Sequence, residues 1–141
     1  DPAVALDSKG TAWVAYDSYR NGNYDVFLAQ VRAGLMQGPE LPVAVTPRFE
    51  ARASVAVDTG DRVWVAWEAR PANWGKDQGY IIRDRQPGAL LVSGDTIKIR
   101  CYQNGQWREP EASLAATIPG VSAGQARLGC KRRESRSGLR R

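Results

Sequence analysis

Residues 3–16 read AVALDSKGTAWVAY, and residues 54–67 repeat this pattern as SVAVDTGDRVWVAW. In both copies, a short apolar run leads through a polar turn containing Asp and Gly into a strand of the form Trp-Val-Ala. Apolar and β-branched runs bounded by such turn residues predict β-strands joined by a tight connection. Because Trp13-Val14-Ala15 recurs as Trp64-Val65-Ala66, the chain contains an internal repeat.

The later part of each copy aligns at a longer offset. Gly34 followed by Gly38-Pro39-Glu40 matches Gly105 followed by Glu109-Pro110-Glu111. The second copy therefore carries 20 extra residues, inserted between about 71 and 95. Each copy predicts a third strand, at 24–31 and 96–102, then a hairpin turn at Gly34 or Asn104-Gly105, and a weaker fourth strand near 41–46 or 112–117.

Four strands in a repeat of about 50 residues are typical of a β-propeller blade. The fold class that we predict is all-β, with two four-stranded antiparallel meanders that form the blades of an incomplete propeller. The alternative is a β-sandwich made from two homologous meanders. The first repeat covers residues 1–52 and the second covers 53–124, while 125–141 starts a third repeat and runs into a disordered basic tail.

Composition excludes several classes of function. The 141 residues contain no His, which rules out Ser-His-Asp and Cys-His catalysis and imidazole metal ligands within this chain. No apolar stretch approaches the roughly 18 residues that a membrane helix needs. Residues 1–125 hold 13 basic and 14 acidic side chains, whereas 126–141 hold seven basic side chains and one acidic. The basic charge therefore belongs to the tail, and the composition argues against a nucleic-acid-binding fold.

The tail leaves two interpretations open. Residues 129–141 have no strand periodicity, and they follow Gln125-Ala126-Arg127-Leu128, which resembles the start of a third copy. Either the reading frame fails near residue 128, or the segment is a basic arm that binds phosphates or acidic partners. Cys130 lies in this tail and could form a disulfide with Cys101, although the spacing does not require one. We expect Cys101 to be a small buried residue of a strand.

Two groups of residues are candidates for ligand binding. The insertion contains Trp74, Lys76 and Asp77, an aromatic ring with flanking charges that could bind a sugar or another planar ligand; alternatively, it forms a hairpin that only caps the blade. The second group follows the aromatic strands and pairs Asp17 with Arg20 and Glu68 with Arg70. These residues could bind a polar ligand or perform acid/base hydrolysis, or they could form surface ion pairs. We predict no metal and no cofactor.

The motif Val4-Ala5-Leu6-Asp7, Gly10 and Trp13-Val14-Ala15-Tyr16, followed by 20–26 with the sequence RNGNYDV, resembles the propeller repeats of bacterial sialidase-like (BNR-like) secreted proteins. The resemblance covers about residues 1–128 and implies a propeller fold and an extracellular or periplasmic location. In the Asp-box of sialidases, Gly lies two residues after Asp, whereas Gly10 lies three residues after Asp7. The resemblance therefore implies the fold but not glycosidase activity.

These observations predict a fragment of a β-propeller that acts as a ligand-binding or scaffolding module for a carbohydrate, a peptide or a neighbouring domain. The sequence favours no catalytic activity in this chain alone. The alternative function is part of a secreted sialidase-like or other hydrolase whose catalytic residues lie partly outside the chain. Because propellers close with about 4–8 blades, two blades need further blades or self-association to cover their faces.

Overall fold

The computed structural model of the chain describes residues 2–72 and 96–110. In these residues it contains nine β-strands in two antiparallel sheets and no helix, so the all-β prediction is confirmed. The first sheet consists of β1 (Ala3–Leu6), β2 (Ala12–Tyr19), β3 (Tyr24–Arg32), β4 (Leu35–Met36) and β5 (Leu41–Ala44). The second consists of β6 (Phe49–Val57), β7 (Val63–Arg70), β8 (Thr96–Gln103) and β9 (Gln106–Arg108).

The first sheet has one strand more than the sequence predicted. Consecutive strands pair in the order β1-β2-β3-β4, and β5 also pairs with β3, where a bulge lies between Val26 and Phe27. The residues after Gly34 therefore form two short strands along β3 instead of one. The second sheet has the order β6-β7-β8-β9, and the fourth strand predicted at 112–117 lies outside the described residues.

The hairpin turns predicted from glycine are confirmed. Ala33-Gly34 connects β3 to β4 with φ angles of 50° and 78°, and Asn104-Gly105 connects β8 to β9 with 52° and 77°. Positive φ at both central residues is the geometry of a type I′ turn, which matches the right-handed twist of the strands that it joins.

The pairing of the strands repeats in the way that the alignment of the two copies predicts. Ala5 lies opposite Trp13 in the first sheet, and their counterparts Ala56 and Trp64 lie opposite each other in the second. Val26 lies opposite Asp17, and Ile97, the counterpart of Val26, lies opposite Glu68. In β6 the register shifts between Ala51 and Ser54, and Arg52 within this bulge has a φ of 56°.

The core lies between the two sheets. Strand β6 packs against β1, β2 and β3. The first sheet contributes the buried side chains of Trp13, Ala15, Val26 and Leu28, and the second contributes Val55, Val63, Val65 and Trp67. Because Ala15 is small, the second sheet can approach the first closely at this position. Successive side chains along β7 point to opposite sides, so Val65 and Trp67 face the first sheet and Trp64 faces away from it.

Among the described residues, polar contacts such as the following two link the sheets. The Asp61 carboxylate, in the turn between β6 and β7, accepts hydrogen bonds from the Ser8 amide at 2.9 Å and the Ser8 hydroxyl at 2.5 Å. Elsewhere, the Arg100 guanidinium on β8 donates to the Val43 carbonyl on β5 at 2.6 Å.

Candidate functional site

The two Asp-containing turns have the same hydrogen bonds. Asp7 Oδ1 accepts from the amides of Lys9 and Thr11 at 2.9 and 2.8 Å, and Oδ2 accepts from the Trp13 indole at 3.2 Å. Asp7 therefore caps its own turn, and it also accepts from an indole, a contact that the sequence analysis missed. The recurring spacing from Asp to Trp, the same in both copies, was the signal for that contact.

The second turn repeats the arrangement with a shorter hydrogen bond from the indole. Asp58 Oδ1 accepts from the amides of Gly60 and Arg62 at 2.9 and 3.1 Å, and Oδ2 accepts from the Trp64 indole at 2.9 Å. Burial alone would raise the pKa of Asp58, but these hydrogen bonds and that of the Arg62 side chain outweigh it and lower the pKa to about 2. The carboxylates of Asp7 and Asp58 therefore stabilise the fold.

Arg20, one of the predicted site residues, is bound to Glu40 in the segment before β5. Its Nη2 donates to Glu40 Oε2 at 2.8 Å and to the Tyr16 hydroxyl at 3.3 Å, and Tyr16 also donates to Glu40. The guanidinium lies 4.3 Å from the centre of the Phe27 ring. The hydrogen bond from Arg20, with that from Tyr16, lowers the pKa of Glu40 to about 2. This arrangement fastens the segment before β5 to the outer side of the first sheet.

Glu68 is completely buried, and two arginines neutralise it. Arg52, at the bulge of β6, lies 2.8 Å from Glu68 Oε2, and Arg70 lies 3.5 Å from the same atom. The sequence analysis predicted the Arg70 contact but missed Arg52, because the bulge that presents Arg52 depends on the register of β6 against β7. The second oxygen, Oε1, has no hydrogen-bond partner among the described residues.

The predicted acids Asp17 and Glu68 occupy equivalent positions of successive sheets. Asp17 lies two residues after Ala15, so it is on the side of β2 that faces the second sheet. Glu68 directly follows Trp67, so it is on the side of β7 that faces away from the first sheet. The second sheet therefore lies between the two carboxylates, and they do not face each other across one cleft. Trp74, Lys76 and Asp77 lie outside the described residues.

A groove that the sequence analysis did not predict opens where β5 ends beside β6, β7 and β8. It has a volume of about 520 Å³ and is lined by Ala44, Val45 and Thr46 and by six larger side chains, Arg48, Glu50, Trp67, Lys98, Arg100 and Glu109. The sequence did contain a signal for it, since Lys98 and Arg100 stand where the first copy has Phe27 and Ala29.

The floor of this groove contains buried polar groups. Trp67 is 4 % exposed, and its indole Nε1 has no hydrogen-bond partner among the described residues; the same is true of Glu50 Oε2, in a side chain that is also 4 % exposed. Burial raises the pKa of Glu50, and the nearby charge of Asp25 raises it further, against the lowering effects of Thr46 and Arg48. Unpaired polar atoms of this kind are rare in protein interiors.

Within residues 2–72 and 96–110, no three Cys, Asp or Glu side chains are placed to hold a metal ion. In the same ranges there is no helix that is long and apolar enough to cross a membrane. Cys101 is a free, buried thiol, as expected for a strand residue, while Cys130 lies outside the described residues.

No protein-family model matches the sequence, and a search of curated proteins finds no match to it. The resemblance to sialidase-like repeats therefore remains a prediction based on the motifs quoted above.

Proposed function

We propose that the chain is a scaffolding module, made of two propeller-type blades, whose first sheet receives the second sheet of another copy of the chain on its free apolar face. The observation that carries this proposal is the equivalence of two surfaces. Five apolar residues on the outward side of the first sheet, three of them more than half exposed, are the counterparts, in the alignment of the two copies, of residues with which the second sheet packs onto the first.

The direction in which the sheets stack supports blades over a sandwich. In a symmetric sandwich of two homologous sheets, equivalent residues would meet in the middle. Here Trp13 belongs to the core between the sheets, whereas its counterpart Trp64 lies on the side of β7 that faces away from that core. Each sheet therefore presents the same side in the same direction, as successive blades of a propeller do.

The free apolar face is formed by Val4, Leu6, Val14, Val31 and Met36. Leu6 lies opposite Ala12, which lies opposite Val31, which in turn lies opposite Met36, so these residues form a row across the sheet. Val4, Leu6 and Met36 are 60, 66 and 57 % exposed. Contiguous exposed apolar surface of this kind marks an interaction site.

The counterparts of this face in the second sheet are Val55, Val57, Val65, Tyr102 and Trp107. Val55 and Val65 are members of the buried core, and Val57, Tyr102 and Trp107 pack against it. In the second sheet these positions are therefore covered by the first sheet. A further blade whose inward side resembles that of the first sheet would cover the free face in the same way.

A second copy of the chain can supply such a blade, because the outward side of its second sheet carries Trp64 at the position of Trp13. A contact between the first sheet of one copy and the second sheet of the next joins two different surfaces, so it is heterologous. Successive contacts of this kind close into a ring when the rotation between neighbouring copies permits. Since propellers contain about 4–8 blades, a closed ring would take about two to four copies.

The experiment is to measure the assembly of the full chain by sedimentation velocity over a series of concentrations. The test variant is Leu6→Lys, and the control is Leu35→Lys. Leu35 is 69 % exposed, but it lies opposite Arg32, on the other side of the sheet from Met36. Covering a leucine side chain is worth about 1.5–3 kcal/mol, so Leu6→Lys should weaken association at least tenfold.

Association of the wild type and of Leu35→Lys, with loss of association in Leu6→Lys, would support the proposal. A wild-type chain that stays monomeric at every concentration, or an equal effect of both substitutions, would overturn it. Circular dichroism of each variant checks that the charge has not unfolded the sheet.

A further inference from the structure

The groove beside β5 differs from the rest of the repeat in its chemistry. On the side of the second sheet that packs against the first, Lys98 lies opposite Trp67 and Arg100 lies opposite Val65. In the first copy the corresponding residues are Phe27 and Ala29, which are both buried. Two cations thus stand where the first copy has two buried apolar residues; Lys98 is exposed, Arg100 is half-buried, and both line the groove.

The cations of the groove are not equivalent. Arg100 Nε lies 2.5 Å from Glu109 Oε1, and Arg100 Nη1 donates to the Val43 carbonyl at 2.6 Å. Arg100 is therefore held in the wall of the groove. Arg48 and Lys98 form no ion pair within the residues that the structure describes, and both side chains line the cavity. In this part of the chain, the groove therefore has two positive charges that no acid balances through an ion pair.

Two further groups add hydrogen-bonding capacity to the same groove. The Trp67 indole can only donate, and its buried N–H has no partner among the described residues. Glu50 Oε2 is also buried and without a partner in that part of the chain, and a protonated Glu50 carboxyl would be a second donor. A buried donor without an acceptor loses its hydration without compensation, and a ligand oxygen would restore the missing hydrogen bond.

We propose that this groove binds a phosphate group, either inorganic phosphate or a small phosphomonoester, through Arg48, Lys98 and the Trp67 indole. The negative charge of a phosphate group complements Arg48 and Lys98, which form no ion pair among the described residues, and its oxygens accept several hydrogen bonds at once. The volume of about 520 Å³ lies within the range of small-molecule sites. This site is independent of whether the blades stack with further copies.

Glu50 makes the binding of anions depend on pH. The charged or titratable groups around it are Asp25 on β3, Arg48 before β6, Lys98 and Arg100 on β8, and Glu109 after β9. When Glu50 is ionised, its carboxylate repels an anion in the groove. When it is protonated, at pH values below its raised pKa, it can donate a hydrogen bond instead.

The primary experiment is a titration of the ¹⁵N-labelled full chain with inorganic phosphate, followed through the indole N–H signals of its five tryptophans. Trp67→Phe identifies the signal of Trp67 by its loss. We expect this signal to shift and saturate, and we expect Lys98→Gln to weaken the affinity at least tenfold. The matched control is Lys9→Gln, an exposed lysine in the turn between β1 and β2, which should leave the affinity unchanged.

Glycerol phosphate and acetate distinguish the possible ligands in the same titration. Saturation by glycerol phosphate shows that the groove accepts a monoester, and saturation by inorganic phosphate alone restricts the site to the free ion. Equal affinity for acetate would overturn the assignment to phosphate. A Trp67 signal that does not move with phosphate, or equal effects of Lys98→Gln and Lys9→Gln, would overturn the site itself.

Sulfate, whose charge is constant, isolates the contribution of Glu50. Its affinity should increase as the pH falls through the raised pKa of Glu50, because the carboxylate becomes neutral. Glu50→Gln keeps a hydrogen-bond donor and removes the negative charge. The variant should therefore bind sulfate as tightly at neutral pH as in acid. An unchanged pH profile in Glu50→Gln would contradict the role of Glu50.

Discussion

Replacing Asp58 with Asn removes one negative charge from the turn between β6 and β7 and leaves its shape nearly unchanged. The Asp58 side chain is 20 % exposed and accepts hydrogen bonds from two backbone amides, from the Trp64 indole and from Arg62. An Asn amide can accept from the backbone, but it loses the ion pair and presents a donor group towards other donors. The substitution therefore tests how much the charge contributes to the fold.

The magnitude follows from proton linkage. The pKa of Asp58 is about 2 in the folded chain, against an ordinary value of 3.8. A difference of nearly two pH units corresponds to about 2 kcal/mol of stability at neutral pH. Because the folded pKa is lowered, this stabilisation is complete above about pH 4 and is lost as the pH falls towards 2.

The assay is urea unfolding of the wild type and of Asp58→Asn, followed by tryptophan fluorescence at several pH values between 7 and 2. We expect the variant to be about 2 kcal/mol less stable at pH 7 and the difference to shrink towards zero near pH 2. Asp7→Asn serves as the matched variant at the equivalent turn and should show a loss of the same sign, since the pKa of Asp7 is also lowered. Equal stabilities at pH 7, or a difference that does not change with pH, would refute this reasoning.

Three further predictions concern the core, the thiol and the outer ion pair. Leu28→Ala should lower the free energy of unfolding by about 3 kcal/mol, because Leu28 is fully buried, whereas Leu35→Ala, at an exposed position, should change it by less than about 0.5 kcal/mol in the same urea titration. In a Cys130→Ser background, Cys101 should react with an aromatic disulfide reagent only after unfolding, because burial shields the thiol and raises its pKa; rapid reaction of the folded chain would contradict this. Glu40→Gln should destabilise the chain at pH 7 by less than Asp58→Asn, since its ion pair is partly exposed, and the loss should disappear as the pH falls from about 4 towards 2; a larger loss would show that we underestimate this contact.

The sequence by itself determined the local structure. The turns at Asp7 and Asp58 and the hairpin at Asn104-Gly105 follow from residues that are close in the chain, because Asx capping and a positive φ are properties of short segments. The strands followed from apolar runs, and the alignment of the two copies anticipated the repetition of the strand register. All of these could be predicted because each depends on a few neighbouring residues or on comparison of the two copies.

Only the tertiary structure decided which surfaces meet. The Arg52–Glu68 pair depends on a bulge, and the groove brings Arg48, Trp67 and Lys98 together from three separate segments of the chain. Whether a strand residue faces the core or the outside depends on how the sheets stack, and local sequence does not specify this. Burial, which leaves the Trp67 indole without a partner among the described residues and raises the pKa of Glu50, arises from the same packing and could not be predicted before the sheets were placed.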